Sequence, residues 1–238
     1  AGDFATFSDS IRALYPASAG VQRIYFDPAP NRQVVLQDGE PVRVGTTGYV
    51  FTEPRAAAES WRVSDPTTAN ATVIDALGAG AGLVTYNGHS NHFYFARTRE
   101  DGGQPNWLFY TNDVGVLTNT NQPFIMLSMT CYTAQFSKPT GAGTLDELLF
   151  RRTDAGAVAV WGPTGLTIVH GHDLLQQGFM ERLWTQPAMS QRIGDLVGAG
   201  YTKLLTQGTC CQDALMTFLL FGDPLTRARV TPTQGQQL

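Results

Sequence analysis

The sequence predicts an α/β sandwich, helices packed on a mostly parallel sheet. Short apolar runs alternate with helical patterns along the chain. The runs are β-branched or aromatic and are bounded by Gly, Pro or polar residues. Most of them are apolar on both faces, as expected of strands covered on both sides.

The strand candidates are residues 21–26, 82–87, 124–129 and 157–161, of which the last three are apolar on both faces. Between them lie helical stretches with recognisable starts. Asp3 or Ser8 caps a helix running to about Leu14, and Thr67 to Asn70 precede a helix over 71–77 that Gly78 ends. Thr144-Leu-Asp-Glu147 fits a capping box before Leu148-Leu-Phe. Residues 173–184, 191–205 and 213–220 complete the helical set. Residues 33–50 break the alternation, with polar and apolar positions alternating around Asp38-Gly39, which signals a hairpin. Pro41 restricts that hairpin to a sheet edge, so 29–64 reads as an inserted β-hairpin excursion. The polar tail 230–238 reads as a linker after a domain spanning 1–229.

Composition excludes several classes. Of 238 residues 42% are hydrophobic and 15% charged, which is too apolar for a disordered chain. The net charge of −4 and the lack of a basic patch of five or more Lys/Arg argue against a nucleic-acid partner. The apolar run 214–221 is far shorter than the roughly 18 residues of a membrane span. Cys131, Cys210 and Cys211 cannot make a disulfide framework, and adjacent cysteines rarely bridge. The chain opens Ala-Gly-Asp-Phe, with neither Met nor signal peptide, so its numbering is expected to start inside a longer precursor.

The chemistry lies at two strand ends. Leu83-Val-Thr-Tyr-Asn-Gly-His-Ser90 is a buried strand that ends in Gly and delivers His89, and Phe124-Ile-Met-Leu-Ser-Met-Thr-Cys131 delivers Cys131. Ligands of open α/β sheets bind at the carboxyl ends of strands. As parallel neighbours the two strands present a thiol and an imidazole side by side, the pair that nucleophilic acyl transfer requires. His89 precedes Cys131 by 42 residues, nearer the caspase order than the papain one. Taken singly, a strand-end Cys is more often an inert small hydrophobe and a strand-end His a structural hydrogen bonder.

From Asp3 to Arg229 the chain resembles the caspase-like catalytic region of the gingipain family of cysteine peptidases. The carrying segments are Gly82-Leu-Val-Thr-Tyr-Asn-Gly-His89, Tyr110-Thr-Asn-Asp-Val-Gly-Val-Leu-Thr-Asn119, Gln122-Pro-Phe-Ile-Met-Leu-Ser-Met-Thr-Cys131, Gly156-Ala-Val-Ala-Val-Trp-Gly-Pro-Thr-Gly165 and Leu220-Phe-Gly-Asp-Pro224. The resemblance implies a caspase-like three-layer sandwich and a secreted or cell-surface cysteine endopeptidase working through a thioester. It implies Cys131 as nucleophile, His89 as general acid/base, and an oxyanion hole from the backbone N–H groups of Ser90 and Cys131. Ser90 and Ala134 depart from glycines usual in the family, and neither change removes a backbone donor. Asp3 matches the family's acidic contact for a basic P1 side chain, although an Asp at a helix start also serves as a cap. The family has one more strand before Asp3, so an upstream fragment of the same precursor is the expected partner completing the sheet. The excursion has no counterpart there; it could be a lid or an assembly contact between copies.

No cofactor is required on this reading. Calcium could be held as a structural ion by carboxylates such as Asp101, Asp113 and Asp223. The pairs His89/His92 and His170/His172 raise zinc, but no Cys or carboxylate lies at ligand spacing, so no metal site is assigned. No Gly-x-Ser-x-Gly elbow or phosphate-binding loop is present. The alternative function, of a different class, is a catalytically silent structural or sorting module on the same fold.

Overall fold

The computed structural model describes residues 4–27, 36–37, 40–41, 43–44, 48–49, 62–99, 103–138, 141–185, 191–230 and 235–237. The chain begins with α1 (Phe4–Arg12), β1 (Val21–Arg23) and β2 (Tyr25–Phe26). Four two-residue strands follow, β3 (Leu36–Gln37), β4 (Glu40–Pro41), β5 (Arg43–Val44) and β6 (Gly48–Tyr49), then β7 (Arg62–Val63) and α2 (Pro66–Ala79). Next come β8 (Leu83–Asn87), β9 (Ser90–Asn91), β10 (Tyr94–Arg97), β11 (Trp107–Tyr110) and β12 (Phe124–Met129). The remainder is α3 (Leu145–Arg151), β13 (Ala157–Pro163), α4 (Val169–Thr185), α5 (Ile193–Gln207), α6 (Asp213–Thr217), β14 (Phe218–Phe221) and β15 (Gly235–Gln237).

Six strands form the central sheet in the order β1-β15-β8-β12-β13-β14. All neighbouring pairs are parallel except β13 with β14. Side chains alternate across the sheet, and β12 exhibits the consequence. Phe124 and Met126 enter one core with Val84 and Tyr86 of β8, Ala69, Val73 and Leu77 of α2, and Leu145 and Leu149 of α3. Ile125, Leu127 and Met129 enter the other with Ile11 of α1, Leu175 and Phe179 of α4, and Leu196 and Leu204 of α5. This is the expected three-layer sandwich. Trp161 of β13 anchors the second core against Phe179, Tyr201 and Phe218. Its Nε1–H donates to Tyr201 Oη at 3.2 Å, and that hydroxyl donates to the Phe218 carbonyl at 2.9 Å.

Several elements differ from the sequence reading. Helix α2 starts before the expected 71, because Pro66 sits at the first helical position, where its missing N–H costs nothing. Asp65 caps it, accepting the Thr68 N–H at 2.7 Å. The run 213–220, read as one helix, divides into α6 and β14, whose antiparallel pairing with β13 draws Phe218–Phe221 into the sheet. Within the polar tail read as a linker, Gly235–Gln237 forms β15, parallel between β1 and β8. Backbone pairing there outweighs a polar sequence. Cys210 and Cys211, expected not to bridge, form a vicinal disulfide, with Cys211 at φ 67°.

At the base of the excursion β2 and β7 pair in parallel, and Arg62 meets Asp27 at 2.8 Å. Inside it the described residues form two hairpins, β3 with β4 and β5 with β6, instead of one. Asp38 and Gly39 lie outside the described residues. Among the described residues no helix is long and apolar enough to cross a membrane.

Candidate active site

The parallel pairing of β8 with β12 sets Asn87 opposite Met129. His89 and Cys131 each follow two residues beyond that matched pair, where both chains leave the carboxyl edge of the sheet.

His89 is exposed, while its backbone is held firmly. Its carbonyl accepts the hydroxyl of buried Tyr86 at 2.5 Å and the Ala96 N–H at 2.8 Å. Tyr86 in turn stacks on Phe95 with ring centres 3.9 Å apart. A side chain on Gly88 would bring its Cβ to 2.5 Å from Tyr86 Oη, so any other residue here must push that hydroxyl off the His89 carbonyl. The imidazole packs against the edge of Phe4 at 5.1 Å, tying the start of α1 to the site.

Cys131 is half-buried, on a loop anchored to both layers. Tyr132 takes the left-handed conformation, with φ 61°, a conformation uncommon outside glycine. Its N–H donates to the Gly165 carbonyl at 3.1 Å, and the Ala134 N–H donates to Pro163 at 2.9 Å. On the α3 side, Ser128 and Thr133 donate their hydroxyls to fully buried Asp146 at 2.9 and 2.7 Å. Burial pushes the Asp146 carboxyl up to about 7, against those two hydrogen bonds. On the α4 side, the Thr167 hydroxyl lies 2.6 Å from the Thr130 carbonyl and 2.6 Å from Nε2 of buried His172. Burial holds the His172 ring down to about 4, opposed by its hydrogen bond to the Met129 carbonyl. It is therefore neutral at physiological pH.

The Cys131 thiol donates to the Thr167 carbonyl at 3.3 Å. The Cys131 N–H donates to Ser90 Oγ at 3.0 Å, and the Ser90 hydroxyl donates to the Cys131 carbonyl. Thr130 Oγ1 lies 2.6 Å from Ser90 Oγ and 2.7 Å from the Gly88 carbonyl. The Ser90 side chain thus sits on the backbone donor of Cys131 itself. This bears on the expectation that a side chain at 90 leaves the donors untouched: the Cys131 amide is taken up at rest.

A thiol and an imidazole on one rim, above a rigid strand pair, suit attack on a carbonyl followed by proton delivery to the leaving group. Asp3 lies outside the described residues, as does Asp101. Asp113 Oδ2 accepts from Tyr110 N and Asn70 Nδ2, while Asp223 Oδ1 accepts from Leu225 N. Among the described residues no group of three or more His, Cys, Asp or Glu gathers to hold a metal. His92 stacks on Tyr132 and meets Gln135 at 2.5 Å, and His172 faces Thr167. The supports Phe4, Asp146, Thr167 and His172 were missed. Asp146 carried a misleading signal, since a carboxylate in the first turn of a capped helix reads as an exposed dipole partner.

The sequence model of peptidase family C25 matches residues 1–229. Among curated proteins none matches this chain in sequence. Among solved structures, the complex of Porphyromonas gingivalis RgpB pro- and mature domains superposes with a TM-score of 0.60 at 22% identity, covering 72% of this chain and 40% of that one. The Arg-specific cysteine proteinase gingipain R (RgpB) gives 0.56 at 23% identity, covering 72% and 39%. A structure described only as a protease gives 0.56 at 15% identity, covering 71% and 39%. These likenesses show the fold, and this chain spans about two fifths of the solved chains' length.

Proposed function

Because the chain belongs to peptidase family C25, we propose that it is a cysteine endopeptidase with Cys131 as nucleophile and His89 as its acid/base partner. The observation that carries the reading is the in-register pairing of Asn87 with Met129, from which both side chains follow at equal distance. In the proposed reaction the Cys131 proton passes to His89 and the thiolate attacks the scissile carbonyl carbon. The carbonyl oxygen, now negative, accepts from the backbone N–H groups of Ser90 and Cys131. Collapse breaks the C–N bond as His89 protonates the leaving amine, leaving a thioester on Cys131. Water, deprotonated by His89, then releases the acid and restores the thiol.

We further propose a basic P1 preference through Asp3. It directly precedes Phe4, whose ring packs on His89. The polypeptide partner proposed is an upstream segment of the same precursor, in keeping with the pro- and mature-domain complex of the related structure. The site of action is proposed as secreted or at the cell surface, in line with the family.

A second reading, a silent module on this fold, is favoured by the thiol being bonded to the Thr167 carbonyl at rest. Alkylation by iodoacetamide separates the two, because only a thiolate reacts quickly. Labelling confined to Cys131, slowed by His89→Ala and accompanied by hydrolysis of peptidyl aminomethylcoumarins that Cys131→Ala abolishes, is the expected result. A Cys131 as sluggish as a free thiol at neutral pH, with no hydrolysis, leaves the module. A charge-reversing Asp3→Lys that leaves the P1 profile unchanged sinks the basic preference.

A further inference from the structure

Resting on the peptidase reading, we propose that the Ser90 hydroxyl is a plug in the oxyanion site, one that substrate must turn out before acyl transfer proceeds. The hydroxyl is held by opposed interactions on one residue, accepting the Cys131 N–H at 3.0 Å and donating to the Cys131 carbonyl. Thr130 Oγ1 at 2.6 Å flanks it from the strand end. A hydroxyl has one hydrogen, and here it is directed at a backbone carbonyl. It is therefore not offered to an incoming oxygen, while the amide that should be offered is already engaged.

The plug is displaceable. A serine side chain moves between staggered positions by rotation about one bond. The Thr130 hydroxyl keeps a partner when Ser90 leaves, the Gly88 carbonyl at 2.7 Å. An oxyanion accepts a hydrogen bond roughly twice as strong as a neutral hydroxyl does, so it wins the Cys131 N–H as charge develops. A neutral substrate carbonyl has no such advantage. The exchange therefore falls between binding and the transition state, which assigns its effect to kcat and leaves KM nearly unchanged. No bond to Ser90 is made or broken: the sulfur–carbon bond forms, the carbonyl π pair moves to oxygen, and the Ser90 proton stays on its own oxygen.

The experiment compares the wild-type chain with Ser90→Ala and Ser90→Gly in three measurements. These are hydrolysis of a peptidyl aminomethylcoumarin mixture spanning all P1 side chains, the rate of iodoacetamide alkylation at Cys131, and hydrogen exchange of the Cys131 amide by NMR. Alkylation needs the thiolate and no oxyanion hole, so it reports the dyad alone. The expected result is a rise in kcat of roughly tenfold in both variants, the scale of one net hydrogen bond. KM should stay within about twofold, alkylation should be unchanged, and the Cys131 amide should exchange faster. An unchanged or reduced kcat with alkylation intact overturns the plug and spares the peptidase reading. An equally protected Cys131 amide in Ser90→Ala overturns it without reference to activity. Slow alkylation and no hydrolysis in all three proteins overturn both.

Discussion

Asp146 and His172 are buried on opposite faces of the sheet and respond to pH in opposite senses. The Asp146 carboxyl, raised to about 7, keeps a proton that the unfolded chain releases near 4, so its contribution is greatest in acid and is lost as pH rises towards 7. The His172 ring, held down to about 4, refuses a proton that the unfolded chain accepts near 6.5, so its contribution is lost as pH falls from 6.5 to 4. Each shift corresponds to a few kcal/mol, on the order of 1.4 kcal/mol per pH unit. Between pH 4 and 6.5 they offset one another. Urea unfolding should therefore give a nearly flat stability profile for the wild type in that window. Asp146→Asn should make stability fall as the solution is acidified, and His172→Gln should make it rise. The placement of Cys131 and His89 at neighbouring strand ends was legible because each follows directly on a largely apolar run. Their supports were not, since whether an Asp or His is buried depends on which helix packs above it.

At the scale of elements, α4 and α5 approach through glycines. A Cβ on Gly178 would lie 2.6 Å from the Ala199 carbonyl oxygen, and one on Gly200 would lie 2.6 Å from both Leu175 O and the Trp161 ring. Gly178→Ala or Gly200→Ala must push the helices apart, at a cost of roughly 1–3 kcal/mol in urea titration. Gly198→Ala, which meets nothing within 4 Å, should be neutral or slightly stabilising through helix propensity. Removing the α2 cap with Asp65→Ala should lower the urea midpoint, because the Thr68 N–H loses its partner. The strands at 82–87, 124–129 and 157–161 were readable because burial on both faces leaves a run that is apolar at most positions, broken only by Thr85, Asn87 and Ser128. The run 214–221 was equally apolar, and only pairing with β13 decides that its second half is extended. Periodicity alone cannot separate those outcomes in eight residues.

For the molecule as a whole, β15 connects β1 to the rest of the sheet, pairing with β1 on one side and β8 on the other. Deleting residues 231–238 should uncover the backbone of Leu83, Val84 and Thr85 on β8 and promote edge-to-edge association, visible as larger species by light scattering. A chain that stays monodisperse with unchanged melting would contradict this role. No sequence cue marks Gly235–Gln237 as a strand, because its partners lie more than 150 residues away in the chain. The Cys131 loop is fastened on one side to an acid through Thr133 and on the other to an imidazole through Thr167. A bell-shaped rate profile from this protein would accordingly carry the fingerprints of its scaffolding as well as of the groups that touch substrate. The inflections that survive in Asp146→Asn and His172→Gln are the ones that belong to the chemistry.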